Sequence, residues 1–140
     1  DLHRLLEQLV SGWDRRSDEA GPRFALHWAE TGPTVPVLAR SLGLLLYRIT
    51  QEALTNVARH AQAHEVRVSL CIDAARAQVQ WRLCDDGVGL TDVRQAMRQG
   101  SGLAGIHQRV FAAGGDLVVS AVQPGSARPG LCLAACLPLR

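Results

Sequence analysis

Lysine is absent from the 140 residues, so all 15 positive side chains are arginine. Any anion site must therefore be built from guanidinium groups or backbone N–H donors. Such a site suits phosphate, because the planar arginine fork grips two oxygens at once. Cys-x-x-Cys pairs are missing too. Cys71, Cys84, Cys132 and Cys136 stand apart, without metal-ligand spacing, each among apolar neighbours in a strand-like run. They are expected to be buried, inert thiols of a reducing compartment rather than a zinc site. No apolar run approaches the length of a membrane span, and no signal peptide opens the chain. A net charge of +2 is too mild to argue for a nucleic-acid partner. Internal repeats are also lacking. Asp1 opens the chain without a methionine, so the sequence reads as a piece of something longer.

What is present points to one folded domain: 47% of residues are hydrophobic and only 20% are charged. Residues 47–61 hold no glycine or proline and predict a helix. At about 100° per residue, Leu42, Leu46, Ile49, Ala53 and Val57 form one stripe, which should face the core. Glu52, Asn56 and Arg59 gather beside it, so an acid, an amide and a base stand in a row at the lip of a pocket.

Around this helix the pattern alternates. Residues 1–16 place Leu2, Leu5, Leu6, Leu9 and Trp13 at helical spacing, either the tail of an upstream helical region or a helix packed on its own domain. Residues 1–20 are accordingly set apart as the end of an upstream region or a linker, and 21–140 as the domain. Residues 23–29 read as a strand, and Pro36 suits the first turn of the long helix. Residues 65–72 and 78–84 alternate polar and apolar and should pair as a hairpin. A second helix is expected over 103–113 with Leu103, Ile106, Val110 and Phe111 inward, stopped by Gly114–Gly115. Two further strands, 117–122 and 130–137, flank a Pro/Gly/Ser loop. The order strand, helix, two strands, helix, two strands predicts an α/β two-layer sandwich, a mixed sheet with helices on one face.

Three motifs carry chemistry. Gly100–Ser101–Gly102–Leu103–Ala104–Gly105 matches G-x-G-x-x-G, yet no strand precedes it, so a dinucleotide fold is rejected. A glycine turn opening a helix still exposes N–H groups at the positive end of a dipole, where phosphates bind. Asp85–Asp86–Gly87–Val88–Gly89 follows a strand. Its glycines allow close approach to a flat ligand, and its carboxylate can accept from an exocyclic amine. Glu52 can serve as a general base, Asn56 can offer an oxygen to Mg²⁺, and Arg59 and His60 can meet phosphate charge. Taken singly, each also reads as an ordinary turn, helix cap or solvated stripe. The information lies in their combination and order.

The sequence 51–61, then Asp85–Asp86–Gly87–Val88–Gly89–Leu90, then residues 100–106, resembles the N box and the two glycine boxes of histidine kinase ATP-binding domains. These belong to the GHKL or Bergerat ATPase superfamily. The likeness is greatest to sensor kinases that partner NarL-type response regulators, whose N box similarly reads Gln-Glu-x-x-x-Asn and whose lid is short. That resemblance implies a Bergerat fold binding ATP and Mg²⁺, with Glu52 as the base acting on a phosphoacceptor histidine and Asn56 as the Mg²⁺ ligand. It also implies Arg59 and His60 as phosphate contacts, Asp85 as the reader of the adenine amine, and Gly87 and Gly89 as the pocket floor. Gly100, Gly102, Leu103 and Gly105 would be the hinge and helix start that hold the phosphates. Arg59 departs from the lysine usual at its position, and no phenylalanine-bearing lid motif lies between Gly89 and Gly100. His3 lacks the context of a phosphoacceptor. The implied partners are therefore a histidine-bearing dimerisation domain of the same protein and a response regulator of NarL type, with a dimeric parent. The implied location is a cytoplasmic domain, with inner-membrane anchoring of the parent left open. The alternative is a nucleotide-binding regulatory module, anti-sigma-like or a degenerate kinase, without histidine autophosphorylation.

Overall fold

In the computed structural model, residues 1–32, 34, 37–90 and 102–139 are described. Pro36, Gly100 and the polar segment 91–99, each singled out in the sequence, lie outside them. The elements are α1 (Leu2–Arg16), β1 (Arg23–Thr31), α2 (Arg40–Asn56), a π-helical turn (Val57–Ala61), β2 (Glu65–Asp73), β3 (Gln78–Asp85), α3 (Leu103–Ala112), β4 (Asp116–Ser120) and β5 (Leu131–Pro138). The strands form one sheet in the order β1-β2-β3-β5-β4. Among the described strands, β1 and β2 pair in parallel and the other neighbours are antiparallel, so the sheet is mixed.

Period-two alternation decides which face is covered. Val66, Val68, Leu70 and Ile72 of β2 and Val79, Trp81 and Leu83 of β3 are all at most 2% exposed, while their sequence neighbours point outward. The helices lie on the inward face. Leu42, Leu46, Ile49, Ala53 and Val57 form the buried stripe of the long helix, and Leu103, Ile106 and Val110 that of α3. Leu6 and Val10 of α1 join the same core, so residues 1–20 carry a helix packed on β1 and α2. One polar link crosses this core: Trp81 Nε1 donates to Thr50 Oγ1 at 2.9 Å, and that hydroxyl donates to Leu46 O at 2.7 Å.

Two expectations need correction. Phe111 is 70% exposed, because with 103, 106 and 110 facing inward, position 111 lies about 100° round the helix from Val110. The cysteines are not four buried thiols. They occupy the outward positions of β2, β3 and β5, where Cys71 is half-buried and Cys136 exposed. Cys84 and Cys132 are opposed in the β3–β5 ladder and joined in a disulfide.

Candidate functional site

The site forms where β3 runs out beneath the end of the long helix. Asn56 closes α2, and the chain then makes one π-helical turn before Gln62 reverses it with a left-handed φ of 50°. Widening the turn changes the angular step per residue, so Arg59 leaves the row it would share with Glu52 and Asn56 on a regular helix. Arg59 is exposed and does not line the cavity, whereas His60 does.

The Asp85–Leu90 turn is pinned to this helix end. Val88 N–H donates to Ala61 O at 2.8 Å, and Gly87 packs so tightly there that a Cβ would sit 2.1 Å from the same carbonyl oxygen. Only glycine fits that approach. Asp86 fastens the other side: its Oδ1 accepts from His64 N at 2.7 Å and Glu65 N at 2.9 Å. Asp85 points inward and is 5% exposed, its Oδ1 accepting from Gly87 N at 2.8 Å.

The neighbouring acids are tuned in opposite directions. Burial pushes the Asp85 carboxyl above the usual range; the Gly87 N–H opposes this and the Asp86 charge adds to it. Asp86 also feels burial, but the backbone N–H groups of Glu65 and His64 outweigh it and hold its carboxyl below the usual range.

Gly102 opens α3 with φ of 84°, and a Cβ there would meet the Asn56 side chain at 2.6 Å. The helix therefore starts directly against Asn56, and its first N–H groups have no partner within the helix. Between these parts lies a cavity of about 300 Å³ lined by Ala53, Asn56, Val57, His60, Ala61, Leu83, Asp85, Gly89, Leu90, Leu103, Leu131 and Leu133. Among the sequence candidates, Asn56, His60, Asp85, Gly89 and Leu103 share this cavity. Gly102 abuts Asn56, Gly87 sits behind the π turn, and Gly105 lies beside Glu52. Glu52 itself is one turn back from Asn56, off the cavity wall, paired with Arg109 of α3.

The chemistry of this arrangement is specific. Eight apolar side chains make walls for a flat ring, and one buried carboxylate offers an acceptor for an amine. Asn56 Nδ2 is buried without a hydrogen-bond partner among the described residues. A buried unpaired amide is costly unless a ligand uses it, so Asn56 is suited to contact a bound group. Among the described residues no cluster of three or more His, Cys, Asp or Glu could hold a metal. A cation here would be shared between one protein oxygen, solvent and the ligand, the manner in which Mg²⁺ accompanies phosphates.

Sequence reasoning missed Arg109 and the apolar floor of Leu83, Leu131 and Leu133. Arg109 had a local signal, four residues after Gly105 on the same helix. The floor had none beyond ordinary strand alternation.

The family described as histidine kinase-, DNA gyrase B- and HSP90-like ATPase matches residues 42–140. The sensor histidine kinase YxjM of Bacillus subtilis is 39% identical over 94 residues, which are 67% of this chain and 21% of that protein. The sensor histidine kinase NarS of Mycobacterium tuberculosis is 38% identical over 85 residues, 59% of this chain and 20% of that protein. The chain thus spans about a fifth of the length of these relatives. Among solved structures, the ATP-binding domain of PrrB from Mycobacterium tuberculosis superposes with TM-score 0.67 at 23% identity, covering 99% of this chain and 93% of that one, a likeness of fold. With its motifs gathered on one cavity, the chain belongs to the histidine kinase-, DNA gyrase B- and HSP90-like ATPase family, as an ATP-binding domain of the sensor histidine kinase kind.

Proposed function

We propose that this domain binds Mg²⁺·ATP in the cavity and passes the γ-phosphoryl group to a histidine on a dimerisation domain of the same protein. The observation that carries this reading is the convergence of Asn56, Asp85 and the start of α3 on one largely apolar cavity. The adenine lies among Leu83, Leu90, Leu131 and Leu133, with its amine toward Asp85. The triphosphate runs toward Asn56, His60 and the N–H groups at Gly102–Leu103, where helix geometry leaves donors free and positive. Mg²⁺, carried in on the phosphates and held by the Asn56 amide oxygen, would neutralise charge on the transferring group. Arg59 reaches phosphate only from outside the cavity, so its contribution is the smallest of the set.

The reaction is mostly positioning: the domain orients the chain of phosphates and the partner supplies the nucleophile. Glu52, one turn from Asn56, is the acid that accepts the proton of the incoming imidazole. The parent pairs with a response regulator, of NarL type by the character of the boxes, and the domain works in the cytoplasm.

Mixing the chain with radiolabelled ATP and the histidine-bearing domain of its parent tests this. Label appearing on the histidine in trans is the expected result. ATP binding without label on the histidine would leave a nucleotide-binding regulatory module in its place.

A further inference from the structure

The acid proposed to meet the phosphoacceptor imidazole does not hang free. Nη1 of Arg109 donates to Oε1 of Glu52, and Oε2 accepts no hydrogen bond from the described residues. Both side chains are only about one-third exposed, at 34% and 33%, so the pair is sheltered more than a typical surface ion pair.

The surroundings are shaped for this contact. Helices α2 and α3 run antiparallel: Gly102 abuts Asn56, while Gly105 and Arg109 meet Glu52. Side chains on a helix lean toward its N-terminus, so Arg109 lies back across Gly105 to reach α2. Position 105 carries no side chain to block that path. A Cβ there would stand 3.4 Å from both Arg109 Nη1 and Glu52 Oε2. The Gly102–Asn56 contact and the Arg109–Glu52 pair are two rungs between the same helices, one turn apart, and only the first touches the cavity.

We propose that Arg109 is the positioning residue for Glu52, fixing one carboxylate oxygen so that the other is presented to the imidazole. This rests on the function proposed above. A free glutamate side chain samples many rotamers, and few of them aim an oxygen at an incoming imidazole. A guanidinium on the far oxygen holds the carboxylate in one orientation without touching the nucleotide. In the transfer, the imidazole Nε2 lone pair forms the N–P bond as the bond from the γ-phosphorus to the bridging oxygen breaks. ADP leaves with that electron pair, and the proton on Nδ1 passes to Oε2 of Glu52. The contact is a single N–H to oxygen bond, not a fork on both oxygens, so lysine can substitute for it in part.

The test uses the chain with the histidine-bearing domain of its parent, and four variants: Arg109→Ala, Arg109→Lys, Glu52→Gln and the double variant Arg109→Ala/Glu52→Gln. Arg109→Ala is expected to lower kcat for histidine labelling about 10- to 100-fold, less than the roughly 100- to 10,000-fold of losing general-base help outright, because the carboxylate remains and only its positioning is lost. The KM for ATP and the nucleotide Kd should stay within about 3-fold, since Arg109 does not line the cavity. Arg109→Lys should recover most of the rate. Adding Arg109→Ala to Glu52→Gln should lower it no further, because one acts through the other. A further fall in the Glu52→Gln background, an unchanged kcat, or a loss confined to nucleotide affinity would each overturn the proposal. If the native chain binds nucleotide but labels no histidine, the function proposed above fails first and takes this inference with it.

Discussion

Asp85 is held at a cost to stability. Its carboxyl titrates above the ordinary aspartate range because burial penalises the charge. The folded state therefore holds a proton that the unfolded state has already lost, and stability falls as pH rises from the ordinary aspartate range through the folded pKa. Asp86 has the opposite sign: its stabilisation is present above the ordinary range and is lost as pH falls through its lowered folded pKa. Replacing Asp85→Asn removes the charge and keeps an oxygen for the Gly87 N–H. The variant should be more stable than the native chain in a urea titration at neutral pH, while binding adenine nucleotide more weakly. Equal or lower stability would mean that the buried charge carries no penalty. Gly102→Ala acts at the same scale. A residue with a Cβ at φ of 84° costs roughly 1–2 kcal/mol of backbone strain, and the new carbon would press on the Asn56 side chain. Lower stability and weakened ATP binding should appear together in denaturation and nucleotide titrations of this variant.

At the scale of elements, the pattern of the long helix was legible to within a few residues. Leu42, Leu46, Ile49, Ala53 and Val57 repeat at a period only a helix buries, and all five are buried. The strands were legible for the same reason, since alternation over 65–72 and 78–84 has one reading in a sheet covered on one face. The π turn was not legible. Nothing in residues 57–61 distinguishes it from continued α-helix, so a regular projection aligns Arg59 with Asn56 while the chain turns it outward. Arg109 escaped notice because its partner is 57 residues away, a pairing set by how two helices meet. The cysteine expectation failed because apolar neighbours in a strand do not say which face a residue takes. The role of α1 is testable here. Leu6 is 0% exposed in the shared core, so Leu6→Ala should cost about 2–5 kcal/mol in a urea titration of the whole chain. A change within error would show that α1 packs too loosely to belong to the fold.

Over the whole molecule, the sheet is the support and the helix layer holds the site. β3 ends and β5 begins under the cavity, α2 and α3 bring their facing ends to its rim, and the Asp85–Leu90 turn closes it against the π turn. Motifs separated by dozens of residues meet because antiparallel neighbours β2, β3 and β5 place their ends together. Ligand binding should therefore be felt by the entire fold, since a ligand at 100 times its Kd adds about 2.7 kcal/mol to stability. The proposed function requires an adenine nucleotide in this cavity with its phosphates against Asn56 and the start of α3. Titration calorimetry of the native chain and Asn56→Ala with ATP, with and without Mg²⁺, tests it most directly. One site on the native chain, tightened by Mg²⁺, is expected, and Asn56→Ala should bind more weakly by about 10-fold or more, roughly the 1.4 kcal/mol of one charge-assisted contact. No heat of binding to the native chain, or a variant that binds Mg²⁺·ATP unchanged, would contradict it.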